Sequence, residues 1–421
     1  MAPRIDPFSS EPSQVATSQM RFAGRRVAMV TFSSYPFDPR PRRAIDALVK
    51  EGATIDLICL GDDSQPRREA QGGVQVWRVP MKHVRRGKME YAFRYAAFIS
   101  IALLTFAWRT LKRRYHLVYV HNMPDILVAS ALVPKLLGAK VVLDLHDPMP
   151  ELMTTIFHAA PEGPSVQLLK GVEKWSIARA DLVVTVNIAC QRIFSRRSCR
   201  EEKIAVVMNS PDGRIFPFRA ARAKDSTNQS QNRPFVVMYH GSLVERNGLE
   251  VAIDALGRVR KTVPSAELHV FGQSTDFLDR MLGKAREKGL HEVVRYFGPR
   301  KLEELVCEID KCDVGVIPNH RNAFTEINTP TRIFEYLALG KPVIAPSTSG
   351  ITDYFNEKSL LFFEPGDADD LGKKIEYAFS HPNELLEIAR KGQEVFLAHT
   401  WDRERETLLR RTSEILPRRK A

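Results

Sequence analysis

Glu335 is the carboxylate whose sequence context most strongly suggests chemistry. Residues 329–346 read TPTRIFEYLALGKPVIAP. This pattern predicts a short helix between Pro330 and Gly340, followed by a buried strand. A helix N-terminus presents unpaired backbone N–H groups and a partial positive charge, which suit a phosphate. A carboxylate on such a helix can accept hydrogen bonds from the hydroxyls of a ribose. The segment therefore predicts a pocket for a nucleoside diphosphate, with a plain surface carboxylate as the alternative.

A glycine-containing loop follows the predicted strand 235–239 and reads HGSLVERNGLE. Gly241 allows the backbone to approach a ligand closely. Arg246 carries a permanent charge on a planar fork that matches phosphate oxygens. A turn would explain the glycines but not the arginine, so we expect this loop to bind the diphosphate. Gly272, after the predicted strand 267–271, either borders the nucleotide or forms a turn.

A histidine follows another predicted strand in the first half of the chain. His146 and Asp147 lie in the segment DLHDPMPE, directly after strand 140–144. A histidine can donate a hydrogen bond to a sugar hydroxyl or a phosphate near neutral pH. Asp147 or Glu151 could fix the tautomer of the ring. We therefore expect His146 to contact a ligand.

Other polar residues of the first half have structural alternatives. Asp125 in HNMPD suits a helix N-cap, and His121 either lines a cleft or simply ends a strand. The segment SSYPFDPRPRR holds polar residues where a first-domain ligand would lie: Asp38, Arg40 and Arg42. The alternative is that Asp38 caps a helix and the arginines are solvated.

A metal-bridged diphosphate would need a pair of aspartates at a strand end in the cleft. The sequence offers no such pair. We therefore expect no bound metal and no other cofactor.

Short apolar stretches alternate with helical patterns along nearly the whole chain. The predicted strands of the first half are 26–32, 54–60, 74–79, 117–121, 140–144, 181–186 and 204–208. Those of the second half are 235–239, 267–271, 293–297, 313–317, 342–345 and 360–363. The predicted helices include 41–51, 125–137, 248–261, 302–311 and 401–415. Apolar strands separated by helices are typical of parallel sheets covered on both faces. The predicted fold class is α/β, with two Rossmann-like domains whose strand ends face one cleft.

Composition divides the chain further. The first residues are rich in Ser, Pro and Gln, and KDSTNQSQN at 224–232 has no apolar anchor. These patterns predict a tail, two domains, a linker and a terminal helix that could pack back on the first domain. The predicted bounds are 1–22 for the disordered tail, 23–215 for the N-terminal domain, 216–233 for the linker, 234–398 for the C-terminal domain and 399–421 for the last helix.

The positive charge is concentrated between Arg78 and Arg114. The net charge is +12, and this stretch holds ten Lys or Arg residues against one acid, Glu90. Residues 95–108 carry no charge, and as a helix they would rise only about 21 Å, short of a ~30 Å hydrocarbon core. Residues 78–114 therefore predict a helix on an anionic membrane surface, with a core helix and a solvated basic face as the alternative. We expect no nucleic-acid partner, because no binding module is recognisable.

The expected compartment is the cytosol. The chain shows no secretory signal, and its five cysteines form no CxxC pair. Thinly spread cysteines fit a reducing environment. With the basic stretch, the prediction is a cytoplasmic protein that attaches peripherally to the inner membrane face.

The chain resembles the retaining GT-B glycosyltransferases of family 4 over roughly residues 26–409. Seven segments in the family's order carry the resemblance: DPRPRRAIDALVKEG, HNMPD, DLHDPMPE, ADLVVTVN, YHGSLVERNGLEVAIDAL, CDVGVIP and PTRIFEYLALGKPVIAP. The resemblance implies transfer of a sugar from a nucleotide-sugar donor with retention at the anomeric carbon. It also implies that the N-terminal domain binds the acceptor and the C-terminal domain binds the donor.

The resemblance also assigns roles by position. His146 would contact the donor sugar, Arg246 lies in the phosphate loop, and Glu335 matches the second glutamate of an E-x7-E motif that holds the ribose. We treat these three as the candidate catalytic residues. The implied donor-binding set is Gly241, Ser242, Arg246, Asn247, Gly272, Glu326, Asn328, Thr329, Thr331 and Glu335.

Two positions depart from the family pattern. The first glutamate of the motif should stand where this chain has Ile327, so Glu326, or Asn328 with backbone groups, could hold the sugar instead. The lysine usual in the phosphate loop is replaced by Asn247. Losing a charge-assisted contact costs about 1.5–3 kcal/mol, which Arg246 would offset in part.

The sequence thus predicts a sugar transferase acting on a saccharide or lipid-linked saccharide in polysaccharide or glycolipid assembly. No carboxylate stands out as a covalent nucleophile, which favours a same-face displacement with the leaving phosphate accepting the proton. A nucleotide-sugar epimerase on the same scaffold is one alternative. A non-catalytic nucleotide-sugar-binding protein is another, and Ile327 and Asn247 would suit it.

Overall fold

The computed structural model describes residues 20–62, 64–81, 88–223 and 233–417. They form two domains, each built on its own sheet with helices on both faces. The predicted α/β class with two Rossmann-like domains is confirmed.

The N-terminal domain contains an eight-stranded sheet. Its strands are β1 (Arg26–Ser34), β2 (Thr54–Gly61), β3 (Arg68–Gln71), β4 (Val74–Pro80), β5 (Leu117–His121), β6 (Lys140–Leu145), β7 (Leu182–Thr185) and β8 (Ile204–Val206). Their order is β3-β4-β2-β1-β5-β6-β7-β8, and all neighbours are parallel except β3 and β4. The carboxyl ends of the parallel strands therefore lie at one edge, which carries the loops after β1, β5 and β6.

Helices cover both faces of this sheet. They are α1 (Pro39–Lys50), α2 (Lys88–Lys112), α3 (Leu132–Leu136), α4 (Met149–Phe157), α5 (Pro164–Arg179) and α6 (Ile188–Arg197), with 3₁₀ turns at Asp125–Ala131 and Glu201–Lys203. Two apolar clusters separate the helices from the strands, one on each face. The central strands are buried on both sides, which explains their continuous apolar sequences.

The C-terminal domain contains a six-stranded, fully parallel sheet. Its strands are β9 (Phe235–His240), β10 (Ala266–Phe271), β11 (Val294–Tyr296), β12 (Val314–Val316), β13 (Val343–Pro346) and β14 (Leu361–Phe363). Their order is β11-β10-β9-β12-β13-β14. The helices that follow in the chain are α7 (Leu249–Val259), α8 (Asp276–Glu287), α9 (Leu302–Lys311), α10 (Thr331–Ala338), α11 (Ser349–Thr352), α12 (Ala368–Ser380), α13 (Pro382–Ala398) and α14 (Trp401–Glu414), with a 3₁₀ turn at Glu245–Asn247.

All thirteen predicted strands are present, with ends that differ by up to two residues. The edge strand β3 was missed, because its sequence REAQ has neither apolar alternation nor β-branched residues. The predicted helix 125–137 is a 3₁₀ segment followed by the short helix α3.

Two predicted domain boundaries are corrected. Phe22, assigned to the tail, is fully buried in the N-terminal core, and its backbone N–H donates to Glu51. Phe216, assigned to the linker, is buried in the core of the C-terminal domain. Both are apolar anchors inside polar sequence. Residues 1–19 and 224–232, the parts predicted as tail and linker from composition, lie outside the described residues.

The last helix returns to the N-terminal domain. Leu408 and Leu409 of α14 are buried in the same cluster as α1 and β1 residues. Glu404 of α14 accepts a hydrogen bond of 2.8 Å from the backbone N–H of Met208. The chain thus crosses between the two domains twice.

Helix α2 is longer than the uncharged stretch predicted from sequence. It spans 25 residues, and Phe98 and Phe106 are buried in the core while Phe93 and Trp108 are exposed. One side of this helix therefore packs on the core, and apolar side chains are exposed on the other. Among the helices of the described ranges, none has the length and hydropathy needed to cross a bilayer.

Candidate active site

The loops at the carboxyl edges of the two sheets face each other. Asp147 of the N-terminal domain lies near Arg246 of the C-terminal domain, and each influences the pKa of the other. Arg43 on α1 is likewise an electrostatic neighbour of Glu335 on α10. Charged side chains from both domains therefore meet in one cleft.

Glu335 lies in the second turn of α10 and is 15% exposed. Burial raises the pKa of its carboxyl group to about 7, against the opposing charges of Arg332 and Arg43. Within the described ranges, its carboxylate has no hydrogen-bond donor. A carboxylate in this state can accept bonds from ligand hydroxyls, because it is largely buried and has no donor among the described residues.

His240 ends β9 directly beside this carboxylate. Its Nε2 lies 3.5 Å from Oε2 of Glu335, and this nitrogen is buried with no hydrogen-bond partner among the described residues. Burial lowers the pKa of His240 to about 3, and the charge of Arg332 acts in the same direction. The imidazole is therefore neutral, so the pair is a polar contact rather than an ion pair.

Arg332 is a site residue that the sequence reasoning missed. It lies in the first turn of α10 and donates hydrogen bonds to the backbone oxygen of His240 at 2.8 Å and to Asn319 at 3.3 Å. Its guanidinium stacks over the ring of Tyr239, 4.8 Å from the centroid. A signal was present, since an arginine one turn before Glu335 on a helix shares its face. The helix N-terminus and this cation together favour an anion.

Arg246 lies in the 3₁₀ turn Glu245–Asn247, half-buried in the cleft. Burial lowers the pKa of its guanidinium, while Asp147 opposes this effect. The side chain of Asn247 closes the loop by donating to the backbone oxygen of Ser242 at 2.8 Å. The residue that replaces the family's lysine therefore shapes the loop, and Arg246 and Arg332 supply the positive charge.

Gly241 and Gly272 allow the backbone to come close at the ends of β9 and β10. A Cβ at Gly241, where φ is +126°, would lie 2.8 Å from Nη1 of Arg332. A Cβ at Gly272 would lie 2.2 Å from the backbone oxygen of Gly241. Any side chain at either position would push the cationic group or the loop out of place.

Across the cleft, His146 is held by two other residues. Its Nε2 lies 3.0 Å from Nδ1 of His121, which lies 3.4 Å from a carboxylate oxygen of Asp144. Burial lowers the pKa of His146 well below its usual value and that of His121 to about 4. Both rings are neutral, so only one of the two facing nitrogens carries a proton and donates it to the other. Donation from His121 is favoured, because it leaves its buried Nε2 as an unpaired acceptor and not as an orphaned donor.

Asp144 is itself saturated with donors. It accepts from Arg40 at 2.6 and 2.9 Å and from the hydroxyl of Tyr119 at 2.9 Å. Metal-ligand atoms of His121, Asp144 and His146 lie within 4.8 Å of one another. A metal ion there would have to displace Arg40 and break the imidazole pair, so these residues form a hydrogen-bond chain and do not suit a metal ion.

Several first-domain expectations are corrected. Asp38 caps α1 by accepting from the backbone N–H of Arg40, which was the structural alternative. Arg40 is buried in its ion pair with Asp144 and is not solvated. Asp125 is not an N-cap, because Pro124 occupies the N-cap position of the 3₁₀ segment and the Asp125 carboxyl accepts from Asn122 at 2.8 Å. Burial raises the pKa of Asp125 to about 7.

The loop before α10 is tied to the N-terminal domain. Ile327 is buried in the N-terminal core cluster, and its backbone oxygen accepts from Asn187 at 2.8 Å. The same amide donates to Thr329 at 3.0 Å. The position where the family pattern has a glutamate is therefore an apolar contact between domains.

The other residues of this loop have different surroundings. Glu326 accepts from Arg321 at 2.8 Å and from the backbone N–H of Ser349 at 3.0 Å, so both of its oxygens already have partners. Asn328 is half-buried, and Thr331 is half-buried at the first position of α10. Both residues are adjacent in sequence to the start of α10, whereas the carboxylate of Glu326 is already engaged by Arg321 and Ser349.

Two family models match this chain, one in each half. A family described as glycosyl transferase 4-like domain matches residues 19–210, and one described as glycosyl transferases group 1 matches residues 221–395. A glycogen synthase of Mycobacterium tuberculosis is 24% identical over 225 residues, 53% of this chain and 51% of that protein. A D-inositol 3-phosphate glycosyltransferase of Corynebacterium jeikeium is 27% identical over 234 residues, 50% of this chain and 55% of that protein. The chain thus spans about half the length of the curated relatives it matches.

Solved structures match over a wider range. A sucrose-phosphate synthase from Thermosynechococcus elongatus superimposes with a TM-score of 0.70 at 18% identity, covering 93% of this chain and 98% of that one. The Anabaena protein HepE in complex with UDP-glucose gives 0.68 at 17% identity, covering 93% and 100%. At these identities the match supports the fold. The two family models, which match residues 19–210 and 221–395, show that this chain belongs to the group 1 glycosyltransferases, and the solved structures show that its fold is GT-B.

Proposed function

We propose that this protein transfers a sugar, with retention at the anomeric carbon, from a nucleotide-sugar donor to a saccharide or lipid-linked saccharide. The observation that carries the proposal is the state of Glu335: a buried carboxylate without a hydrogen-bond donor among the described residues, beside the N-terminus of α10 and two arginines. Such a group suits a diol next to a diphosphate.

The donor is proposed to bind along the C-terminal domain. Glu335 accepts hydrogen bonds from the ribose hydroxyls, and the backbone amides of the first turn of α10 face the diphosphate. Arg246 and Arg332 neutralise the charge that develops as the diphosphate leaves. No metal or other cofactor is part of the proposal, because two fixed guanidinium groups and a helix N-terminus supply the positive charge.

His146 is proposed to orient the donor sugar from the opposite domain. With its proton on Nδ1, the ring can donate to a sugar hydroxyl while His121 holds Nε2. The contacts of Ile327 and Thr329 with the N-terminal domain favour a closed cleft, which excludes water from the donor.

Retention is proposed to follow from a same-face displacement. The bond between the anomeric carbon and the diphosphate oxygen breaks, and the acceptor oxygen attacks from the side that the diphosphate leaves. The acceptor proton passes to the departing phosphate oxygen. Asp147 is an electrostatic neighbour of Arg246, and this charge suits an electrostatic role better than a covalent one.

The donor class is supported by the solved neighbours. HepE was solved with UDP, with UDP and glucose, and with UDP-glucose, and a trehalose-6-phosphate protein from E. coli was solved with UDP-2-fluoro glucose. UDP-sugars are therefore the first donors to test here.

The acceptor side is proposed to lie on the N-terminal domain, with roles in polysaccharide or glycolipid synthesis. A cytoplasmic protein bound peripherally to the inner membrane face through residues 78–114 would meet a lipid-linked acceptor there. The proposal rests on the net positive charge of this stretch and on the exposed side of α2.

Turnover of labelled nucleotide sugars with membrane extract as the acceptor source tests the function. Labelled product whose new bond keeps the donor's anomeric configuration supports the proposal, and the opposite configuration refutes retention. Free sugar nucleotide with an inverted ring carbon would indicate an epimerase. Donor binding without product would indicate a binding protein, the alternative that Ile327 and Asn247 favour.

A further inference from the structure

Helix α2 presents an apolar face to solvent. Five exposed apolar side chains, spaced eight, three, four and three residues apart, lie on one side of the helix. They are Phe93 (74% exposed), Ile101 (41%), Leu104 (69%), Trp108 (56%) and Leu111 (74%). The opposite side holds the core residues of the same helix. We call these five residues the α2 face.

The middle of the α2 face is uncharged. Between Arg94 and Arg109 the sequence has no charged residue, and the five side chains span roughly 27 Å of helix. Monomeric soluble proteins rarely expose a contiguous apolar surface of this extent without a partner. Among the described residues no side chain covers it, since each of its five members is at least 41% exposed.

A basic cavity lies at the C-terminal end of the α2 face. It has a volume of about 630 Å³, and the charged groups in its lining are Arg26, Arg109, Lys112, Arg113 and a single acid, Asp56. Asp56 is already paired with Arg26 and with Arg109, the latter at 3.0 Å. Lys112 and Arg113 are exposed, so the cavity retains a surplus of positive charge.

Trp108 links the apolar face to the cavity. Its ring lines the cavity, and Nζ of Lys112 lies 3.7 Å from the ring centroid. Exposed tryptophan next to lysine and arginine is the arrangement that proteins use at the boundary between acyl chains and headgroups.

We propose that the α2 face lies in the plane of an anionic membrane and that the basic cavity receives the phosphate of an anionic lipid headgroup. This inference rests on the proposed membrane acceptor, and it names the surface and the lipid chemistry. The five apolar side chains enter the interface, while Lys112 and Arg113 contact phosphates beside it.

The orientation of α2 connects this surface to the candidate active site. The helix follows β4, whose carboxyl end lies at the cleft edge of the sheet, and it leads back to the start of β5. The Phe93 end of the helix is therefore nearer the cleft, and the basic cavity lies at the far end. A docked α2 would hold one side of the cleft close to lipid-linked acceptors.

A second copy of this chain is a less suitable occupant. The spacing of Ile101, Leu104, Trp108 and Leu111 would suit a paired helix. In the sequence, however, Arg85, Arg86 and Lys88 precede the apolar stretch, and Lys112, Arg113 and Arg114 follow it. Two copies would bring like charges together in either direction, which is unfavourable, whereas an anionic surface attracts both ends.

Vesicle flotation of the full chain tests the proposal. Vesicles of phosphatidylglycerol and of phosphatidylcholine are compared at fixed salt with wild type and with the triple variant Leu104→Gln, Trp108→Gln, Leu111→Gln. The matched control removes three exposed apolar side chains on helices α9, α12 and α13, far from α2 in the sequence: Leu302→Gln, Phe379→Gln and Leu397→Gln. Because all six side chains are exposed, folding should be retained, which circular dichroism verifies.

A second pair of variants tests the cavity. Lys112→Gln with Arg113→Gln removes two charges at the cavity, and Lys284→Gln with Lys373→Gln removes two exposed charges elsewhere. Each basic residue close to anionic lipid is worth about a factor of five, so the cavity pair should lower the partition coefficient for phosphatidylglycerol roughly thirtyfold, with a much smaller loss for the control pair.

The proposal predicts binding to phosphatidylglycerol, weak binding to phosphatidylcholine, and loss of binding in the triple and cavity variants but not in their controls. Trp108 emission should shift to the blue on vesicles and be quenched by brominated acyl chains. Failure of wild type to float, or equal losses in the controls, would overturn it. A dimer in sedimentation that the triple variant dissociates would assign the α2 face to a second copy instead. Because no donor is present, these results are independent of the proposed transfer reaction.

Discussion

Nε2 of His240 lies 3.5 Å from the carboxylate of Glu335, and neither group has a hydrogen bond to another side chain that the structure describes. Burial keeps the imidazole neutral and raises the pKa of the carboxyl group to about 7. The buried Nε2 of His240 has thus lost water without gaining a partner among the described residues, and Glu335 is largely desolvated, which is unfavourable for the folded state. Ligand hydroxyls could satisfy both, so this contact connects the stability of the ligand-free protein to its binding site.

The raised pKa of Glu335 predicts a stability effect that depends on pH. Its folded pKa of about 7 lies above the ordinary value of 4.5, so the folded state favours the neutral form. Below pH 4.5 both states are protonated and nothing is lost. Between pH 4.5 and 7 the unfolded chain loses this proton while the folded protein keeps it, so stability falls across this range and is level above it. Glu335→Gln should therefore raise the free energy of unfolding by about 3 kcal/mol at pH 8 and change it little at pH 4.5.

Urea denaturation of the ligand-free protein at both pH values measures this difference. Glu303→Gln, on the exposed first turn of α9, serves as the control and should show no such dependence. An equal effect of Glu335→Gln at pH 4.5 and pH 8 would show that its carboxyl group is not desolvated.

The phosphate role of Arg246 predicts a selective loss of affinity. Arg246→Gln should weaken binding of a nucleoside diphosphate by roughly ten- to a hundredfold, because a charge-assisted hydrogen bond contributes about 1.5–3 kcal/mol. Affinity for the corresponding nucleoside should change little. Calorimetry with both ligands measures the ratio, and Arg280→Gln, an exposed residue of α8, is the matched control. Equal weakening for nucleoside and diphosphate would contradict the assignment.

The buried position of Ile327 between the domains predicts that the glutamate of the family pattern would weaken the contact between the domains here. Ile327→Glu would place a carboxylate in the apolar contact with the N-terminal domain, at a cost of about 2 kcal/mol or more. We expect the domains to separate, seen as a larger radius of gyration in small-angle scattering and faster proteolysis. Asn328→Glu, a half-buried neighbour, should leave both unchanged. An unaltered radius with improved turnover for Ile327→Glu would show that the glutamate contacts the donor.

The position of His146 on the opposite domain predicts that it affects transfer and not nucleotide binding. His146→Ala should lower kcat/KM about tenfold, the value of one oriented hydrogen bond, while the Kd of the nucleoside diphosphate stays within twofold. Steady-state kinetics and calorimetry on the same preparation separate the two. Loss of nucleotide affinity as large as that of Arg246→Gln would place His146 on the phosphates instead.

Sequence patterns were sufficient for most of the fold. Buried parallel strands such as β5 and β6 have continuous apolar sequences, so their positions follow from local composition. Strand β3 lies at an edge and is held by its antiparallel pairing with β4, which its own residues do not encode. The extent of α2 was also missed, because charged residues at both ends continue a helix whose apolar middle alone was recognised.

The sequence predicted the positions of some residues of the candidate site but not of others, because only some are placed by local structure. Glu335 and Arg246 are placed by local features, a helix start and a strand end. Arg40 and Ile327 are placed by tertiary contacts: Arg40 reaches Asp144 more than one hundred residues away, and Ile327 packs on the other domain. One sequence cannot reveal such partners, since ion pairing and apolar contact across domains leave no periodic pattern.

Calorimetric titration of Glu335→Ala with the common nucleoside diphosphates, UDP first, tests the central claim most directly. The account predicts a Kd about tenfold higher than for wild type, or roughly 1.4 kcal/mol, with Glu303→Ala as an unchanged control. An unchanged Kd for Glu335→Ala, with wild type binding measurably, would contradict the assignment of this carboxylate to the ribose and with it the proposed donor site.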